Sequence, residues 1–352
     1  MELYFLKSDF SLLEGPVDTF TSAVWSEKYY EVGSFAIHLP RSFAGICQSA
    51  SYVRTEYDKR GRCRCGRITY VTTNMTAGAL SDCEVGGCML EGLLGDRVMY
   101  GKGSAVGGGV SAVLSAVGDN LRALPVEIDA DGSADFVDSV SLTWDWDRMS
   151  DWLYGVLRPY GASFSVTLGK EDSLPVLRII KGRDLSGDDE SSARRAVFSS
   201  SYGNIFAIEL EKDEGKVRNF AYVEGYDGEV VEVDKSNGSA AGVREIYKKA
   251  SDVNPSKYDD ESTYCAALRQ RGEEALAKYP SVLSVSAQSD PAASPIYGID
   301  YALGDICGVS DAELGLCTSL RLTAADTVSE NGEVTVYPYF GETIKFRDAM
   351  EI

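Results

Sequence analysis

The chain has 352 residues, with 34 Lys+Arg set against 54 Asp+Glu and a formal net charge of −20. That balance excludes a generic duplex-DNA binder, whose affinity comes from cations that displace counterions from phosphates. A single histidine, His38, excludes HExxH zinc sites and multi-histidine metal centres, and any Ser–His–Asp arrangement has to use it.

At 44% hydrophobic and 25% charged residues the composition is that of an ordinary globular protein, and the length suits two or three domains with ample core. Gly (35) and Tyr (20) far exceed Pro (10), which points to plentiful turns and strands. The opening Met1-Glu2-Leu3-Tyr4-Phe5-Leu6 lacks a basic segment, and its apolar run is too short for a secretory signal. No run approaches about 18 apolar residues, so no membrane insertion is expected; Ala105 to Gly118 is diluted by Gly and Ser. Eight cysteines are too sparse for a disulfide scaffold and read as reduced thiols.

From residue 1 to 100 the hydrophobic period is mostly two. Phe35-Ala36-Ile37-His38-Leu39 alternates, as Arg64 to Val71 does in part, between turn signals at Glu14-Gly15-Pro16, Leu39-Pro40 and Asp58 to Gly61. Short strands at this spacing read as an antiparallel barrel or sandwich. Gly101-Lys102-Gly103-Ser104 and Gly107-Gly108-Gly109 then read as a flexible hinge. Val110, Val113, Leu114 and Val117 mark a short amphipathic helix. Met149, Trp152, Leu153, Val156, Leu157 and Tyr160 mark a second, with Asp145 or Asp147 as its cap and Pro159 with Gly161 as its end. Phe164 to Leu168 and Val176 to Ile180 read as a hairpin, closed off by the polar run Ser186 to Ser192.

The two-residue period returns in Ile205 to Ile208, Val217 to Val223 and Glu229 to Val233, which look like consecutive strands. A helix from Asp259-Asp260 to Pro280 carries Tyr264, Ala267, Leu268, Ala275, Leu276 and Tyr279 on one side. Val282 to Val285, Leu303 to Val309, Leu316 to Leu322 and Val334 to Phe340 are strand again. Tyr30 to Phe35 also lines up with Tyr301 to Ile306, each with Gly before a strand, so the two β regions are candidates for related units. The fold class is mainly β with an α+β insertion.

Several clusters invite chemistry. Cys63, Cys65, Cys83 and Cys88 give C-x-C and C-x₄-C, four thiols able to hold a tetrahedral zinc, although C-x-C on a strand also places two thiols on one buried face. Asp129, Asp131 and Asp135 flank Gly132 in a pattern able to wrap calcium, without the closing glutamate of an EF-hand; an exposed acidic turn is the alternative. The glycines of 101–109 match neither dinucleotide nor P-loop spacing. Lys59, Arg60, Arg62, Arg64 and Arg67 form the basic cluster, read as a solvated hairpin tip that meets an acidic neighbour rather than nucleic acid. His38 reads as a surface or structural residue. The pairs Asp145/Asp147 and Asp188/Asp189 read as caps and linker charges, a glycosidase pair being the other use of such carboxylates.

Collinear segments resemble a known family. Trp25-Ser26-Glu27-Lys28-Tyr29-Tyr30-Glu31-Val32-Gly33-Ser34-Phe35 before Leu39-Pro40 is similar to its W-x₃-Y-Y-E-x-G-x-F-x₃-L-P stretch. Val85 to Leu90 with Asp96-Arg97-Val98, Asn219 to Gly225, Tyr297 to Ile306 and Tyr337-Pro338-Tyr339-Phe340-Gly341 follow in the same order. The chain thus resembles the Pepy-type siphovirus tail proteins of long-tailed phages, departing from their pattern at Cys88 and in the Arg-rich hairpin.

The resemblance implies a baseplate hub: a homotrimeric ring that joins the tail tube and distal tail proteins to tail-tip or receptor-binding proteins, with genomic DNA passing through. It implies two tail-tube-like antiparallel β-barrels, one over residues 1–100 and one over 191–352 with the helix at 259–279. The α/β module and linker occupy 101–190. It places the protein in the virion, at the tail tip or baseplate, after assembly in the host cytoplasm. It implies no enzyme and no catalytic, cofactor or metal residues. An acidic lumen, with Lys59 to Arg67 turned outward or into a subunit contact, would let DNA pass unbound. The rival readings are a tail-tip peptidoglycan hydrolase and a host carbohydrate-binding tail protein.

Overall fold

The computed structural model describes residues 1–59, 61–73, 82–169, 174–187, 195–213, 215–237, 242–258, 260–279, 282–289, 294–330 and 332–341. Arg60, the linker pair Asp188/Asp189 with the rest of the polar run to Ser192, Asp259 and Pro280 lie outside the described residues.

The protein is mainly β, and its N- and C-terminal β regions share one sheet. Alternating burial builds the first part: Ala23 and Trp25 of Ser22–Lys28, and Phe35, Ile37 and Leu39 of Ser34–Pro40, point into a core with Leu3, Phe5 and Val85. Leu12–Val17, Leu3–Leu6, Tyr52–Thr55, Cys65–Thr73, Asp82–Met89, Ser34–Pro40 and Ser22–Lys28 follow one another in antiparallel pairs.

The long strand Leu316–Glu330 then pairs with Ser22–Lys28 on one side and with Glu333–Gly341 on the other, and Val282–Ser289 and Ile205–Asp213 complete the path. The first residues of Leu316–Glu330 pair instead with Ile306–Asp311, which Asp184–Leu185 and Val197–Ser199 join in parallel. The path is open, with Leu12–Val17 and Ile205–Asp213 at its ends. Phe198, Val285, Tyr301, Leu322 and Phe340 form the core of the C-terminal part.

Helices α1 (Ala44–Ser49), α2 (Gly109–Leu121), α3 (Met149–Leu157) and α4 (Glu261–Leu276) stand outside this sheet. The residues at helical spacing in α2 and α3 do enter one core, with Phe164, Val166, Leu177 and Ile179 from the hairpin Ala162–Leu168/Pro175–Lys181. That core continues into the N-terminal region through Leu90, Leu93 and Leu94. The Gly161 end of α3 is as expected, with φ +66 after the 3-10 turn Arg158–Tyr160. Its start is not: Arg148 occupies the cap position without a side-chain bond, and the Asp147 carboxylate instead accepts from the Asp145 backbone N–H at 2.9 Å.

Residues 101–109 are not a flexible hinge. Lys102–Gly107 is a strand paired in antiparallel with Val140–Asp145. A Cβ on Gly103 would lie 2.2 Å from the Trp144 indole, so this glycine serves a close approach rather than mobility.

The strands expected to run consecutively after residue 205 do not. Phe220–Glu224 and Val230–Asp234 leave the main sheet, and with Glu245–Lys249 make a small sheet inserted between the paired strands Ile205–Asp213 and Val282–Ser289. Helix α4, capped by the Asp260 carboxylate accepting from the Thr263 N–H, packs on this small sheet through Tyr264, Ala267, Leu268 and Leu276. Among the described residues no helix is long and apolar enough to cross a membrane.

Candidate functional site

The strongest polar constellation lies where the N-terminal sheet, the middle hairpin and the C-terminal strands meet. Tyr29 is fully enclosed there. Its hydroxyl faces the Gly161 carbonyl at 3.1 Å and the Ile180 carbonyl at 3.3 Å, and it accepts from the Gly182 N–H at 3.3 Å. Its backbone N–H donates to the Thr323 carbonyl at 2.8 Å, and its carbonyl accepts from Ser163 Oγ. The Arg321 guanidinium stands 5.7 Å from its ring centroid and donates to the Gly304 carbonyl. Gly304 has φ +88, and a Cβ there would lie 2.3 Å from the Tyr29 ring. Burial pushes the Tyr29 phenol up to about 12, so it stays neutral.

Asp305, next in sequence, is buried and engaged from three sides: it accepts from the Arg183 and Ala302 backbone N–H groups at 2.8 and 3.0 Å and pairs with the Arg183 guanidinium. These groups clamp parts of the chain in register. They include no nucleophile beside a base.

The basic cluster divides: Lys59 and Arg62 at the tip are exposed, as expected of a solvated hairpin, whereas Arg64 and Arg67 are drawn into ion pairs and largely covered. Arg64 Nε lies 2.8 Å from Glu27 Oε2 under the Tyr297 ring, Arg62 pairs with Asp58 and donates to the Gly298 carbonyl, and Arg67 pairs with Asp96. The driving force is that a buried guanidinium needs a carboxylate, and Glu27 lies on the neighbouring part of the sheet. Lys59 is exposed as well, and Arg62 keeps about half of its side chain in solvent, at 49% exposure.

The zinc quartet is not assembled. Cys65 is buried in the core that holds Leu90, with Cys63 packed against it, whereas Cys83 is buried beside Cys47 in the core that holds Trp25. Burial lifts the Cys63 thiol to about 11 and Cys65 well above its ordinary value, which favours protonated thiols over thiolate ligands.

Nor do Asp129, Asp131 and Asp135 converge. The Asp129 carboxylate takes the Gly132 N–H at 2.8 Å and Arg178 Nε at 2.7 Å, which holds its pKa down, while Asp131 and Asp135 point to solvent. Among the described residues no group of three or more His, Cys, Asp or Glu is arranged to hold a metal. His38 Nδ1 sits 3.8 Å from Asp82 on a half-exposed strand face, and Asp145 pairs with Lys102.

Sequence reasoning passed over Tyr29, Gly304 and Asp305 as functional residues. All three lie in the segments that carry the family resemblance, Trp25 to Phe35 and Tyr297 to Ile306, which is where the seam is built.

A family profile described as siphovirus ReqiPepy6 Gp37-like protein matches residues 2–342. Among curated proteins no relative is detected. The fold is shared with a tail protein from Neisseria meningitidis MC58, at 13% identity and TM-score 0.60, covering 97% of this chain and 96% of that one. It is also shared with the 43 kDa tail protein of prophage MuSo2 from Shewanella oneidensis, at 11% identity and TM-score 0.57, covering 97% and 98%. A third similar structure is the E. coli c3393 protein, a type VI secretion component described as similar to the phage T4 tail proteins gp27 and gp5. It matches at 11% identity and TM-score 0.50, covering 98% of this chain and 78% of that one.

Proposed function

The chain belongs to the siphovirus ReqiPepy6 Gp37-like family of phage tail proteins, and from that premise we propose that it is a structural baseplate hub. Three copies form a ring that joins the tail tube to the tail tip and lets DNA pass, and no copy acts as an enzyme. The observation that carries the reading is the shared sheet: Ser22–Lys28 pairs with Leu316–Glu330, so N- and C-terminal β regions form one continuous sheet with open edges at Leu12–Val17 and Ile205–Asp213.

On this reading residues 1–100 supply one tube-like unit and 191–352 a second that carries the inserted α4 unit, while 101–190 brace them. Two units per copy, repeated three times, present six to a sixfold tube. The Tyr29 seam fixes their relative angle, as a ring of constant diameter requires.

The protein sits in the virion tail. Negative-stain images of the purified full-length protein, classified for symmetry, test this reading. Threefold rings with six similar lobes are expected. A particle of different stoichiometry, or a tail map showing six separate copies at this level, overturns it. Clearance of cell walls in a zymogram would favour the hydrolase instead.

A further inference from the structure

Two uncovered surfaces carry complementary chemistry. The first surrounds the segment 95–101. Tyr100 and Trp146 are 68% and 52% exposed, and their rings meet edge to face with centroids 4.9 Å apart. Three guanidiniums gather on this segment: Arg122 donates to the Val98 carbonyl at 3.2 Å, Arg148 to the Gly95 carbonyl at 2.9 Å, and Arg97 to the Leu121 carbonyl at 3.2 Å. All three bond to carbonyl oxygens, and none forms an ion pair among the described residues. The neighbouring Asp145 is already held by Lys102 at 2.8 Å.

Trp146 (φ +59) and Arg122 (φ +47) also adopt positive φ, a conformation that is strained for a non-glycine residue. The backbone therefore holds a large ring in solvent at a cost. Trp, Tyr and Arg are the residues that dominate protein–protein contacts.

The second surface is the open face of the small sheet. Helix α4 covers the face of Ala221, Val223, Val231 and Val233. The register then places Tyr222 between Glu232 and Tyr247 on the opposite face, with Asp234 and Glu245 on one side of that row and Glu224 on the other. Tyr247 is 60% exposed. Four carboxylates face a single ammonium, Lys249, which already pairs with Glu224 at 3.5 Å.

The two surfaces lie on opposite sides of α4. Its Gln270 exchanges hydrogen bonds of 2.9 and 3.2 Å with the Ser141 backbone, in the ribbon that ends at Trp146, while its apolar side holds the sheet. The acidic face thus turns away from the arginine patch of its own copy.

We propose that the Tyr100–Trp146 patch with its three arginines docks on the acidic Tyr222–Tyr247 sheet face of a second copy. The contact is heterologous, so repeating it closes a ring where the rotation allows; it rests on the ring reading above. Charge complementarity identifies the occupant: the chain is acidic overall, and this sheet face offers carboxylates around apolar rings where the patch offers guanidiniums around apolar rings.

The test is native mass spectrometry and light scattering on the full-length protein, wild type beside three variants checked for fold by circular dichroism. Arg122→Glu/Arg148→Glu and Glu232→Lys/Glu245→Lys are each expected to weaken self-association at least ~10-fold, and the combined charge swap to restore it. Trimers insensitive to both reversals overturn the docking and leave the ring reading standing. The reversal-and-rescue pattern in particles of another stoichiometry supports the docking and sinks the trimer. Monomers throughout overturn the docking.

A second arm needs no substitution. Zero-length carbodiimide coupling of wild-type protein mixed from light and ¹⁵N-labelled copies should join Lys102 to Glu232 or Glu245 between copies.

Discussion

The hydroxyl of Tyr29 lies 3.1 Å from the carbonyl oxygen of Gly161, across the seam between the main sheet and the middle hairpin. Tyr29 sits on the turn between two neighbouring strands, and Gly161 ends α3, so this contact ties together elements 132 residues apart. The Gly182 N–H meets the same oxygen, so the phenol donates and accepts at once.

Tyr29→Phe removes both roles without changing the ring. It leaves the Gly182 N–H without its partner in an enclosed place, where an unmet donor costs about 1–3 kcal/mol. The unfolding free energy from urea denaturation is expected to fall by that amount, with the far-UV spectrum unchanged. A variant as stable as wild type would show that the seam does not depend on this hydroxyl.

The Arg64–Glu27 pair gives a cleaner separation of charge from packing. Both side chains are about three-quarters covered, at 26% and 23% residual exposure. Either Arg64→Met or Glu27→Gln alone leaves a partly buried charge without its partner, with an expected cost of about 2 kcal/mol. The double variant should cost less than the sum of the two, because it removes the orphaned charge. Additive losses in the double-mutant cycle would show that the two groups do not interact.

How much of this was legible beforehand depended on whether the cause was local. Met149, Trp152, Leu153, Val156 and Leu157 stand at helical spacing, and they enter the core as α3. The hairpin Ala162–Leu168/Pro175–Lys181 announced itself by alternation.

The strand expected over Leu316 to Leu322 runs on to Glu330, and that second half did not announce itself, because Thr323-Ala324-Ala325-Asp326 carries no hydrophobic alternation. It is held by partners on both sides, Ser22–Lys28 and Glu333–Gly341, which are distant or not yet formed in any local view. Arg64 and Arg67 of the basic cluster misled for the same reason. A run of cations reads as solvated until Glu27, Asp96 and the Gly298 carbonyl come into place from elsewhere in the chain. Gly103 misled in the opposite sense: its missing side chain serves the Trp144 indole, which local sequence does not reveal.

The cysteines are expected to stay reduced and metal-free. Cys65 and Cys83 belong to different cores, and raised thiol pKa values disfavour the thiolates that zinc requires. Native mass spectrometry should give the bare polypeptide mass, and a strong chelator should leave thermal unfolding unchanged. A zinc adduct lost on chelation, with a fall in stability, would contradict this.

If the ring forms, its net negative charge should keep duplex DNA unbound at physiological salt, where fields extend only about 8 Å. The assembled protein is expected to give no mobility shift with linear duplex. Tight, steeply salt-dependent binding would place a basic lumen at the centre and refute the free-passage reading.

Glu91 should make stability depend on pH. Part of the residue reaches the surface, but its carboxyl is enclosed, accepting from the Val166 N–H at 3.2 Å, and desolvation lifts its pKa to about 7 from an ordinary 4.5. The folded state therefore holds a proton that the unfolded chain has already released between those values. Its contribution is fully present below pH 4.5 and is lost as pH rises towards 7, by up to about 3 kcal/mol at 1.36 kcal/mol per unit. Above pH 7 both states are ionised and the loss is complete. Glu91→Gln keeps a neutral group of the same shape, so its advantage over wild type should be absent near pH 4.5, grow from there to pH 7 and then level off. Urea unfolding of both proteins across that range measures the difference directly, and parallel stability curves would show that the Glu91 carboxyl is ionised at no unusual cost in the fold.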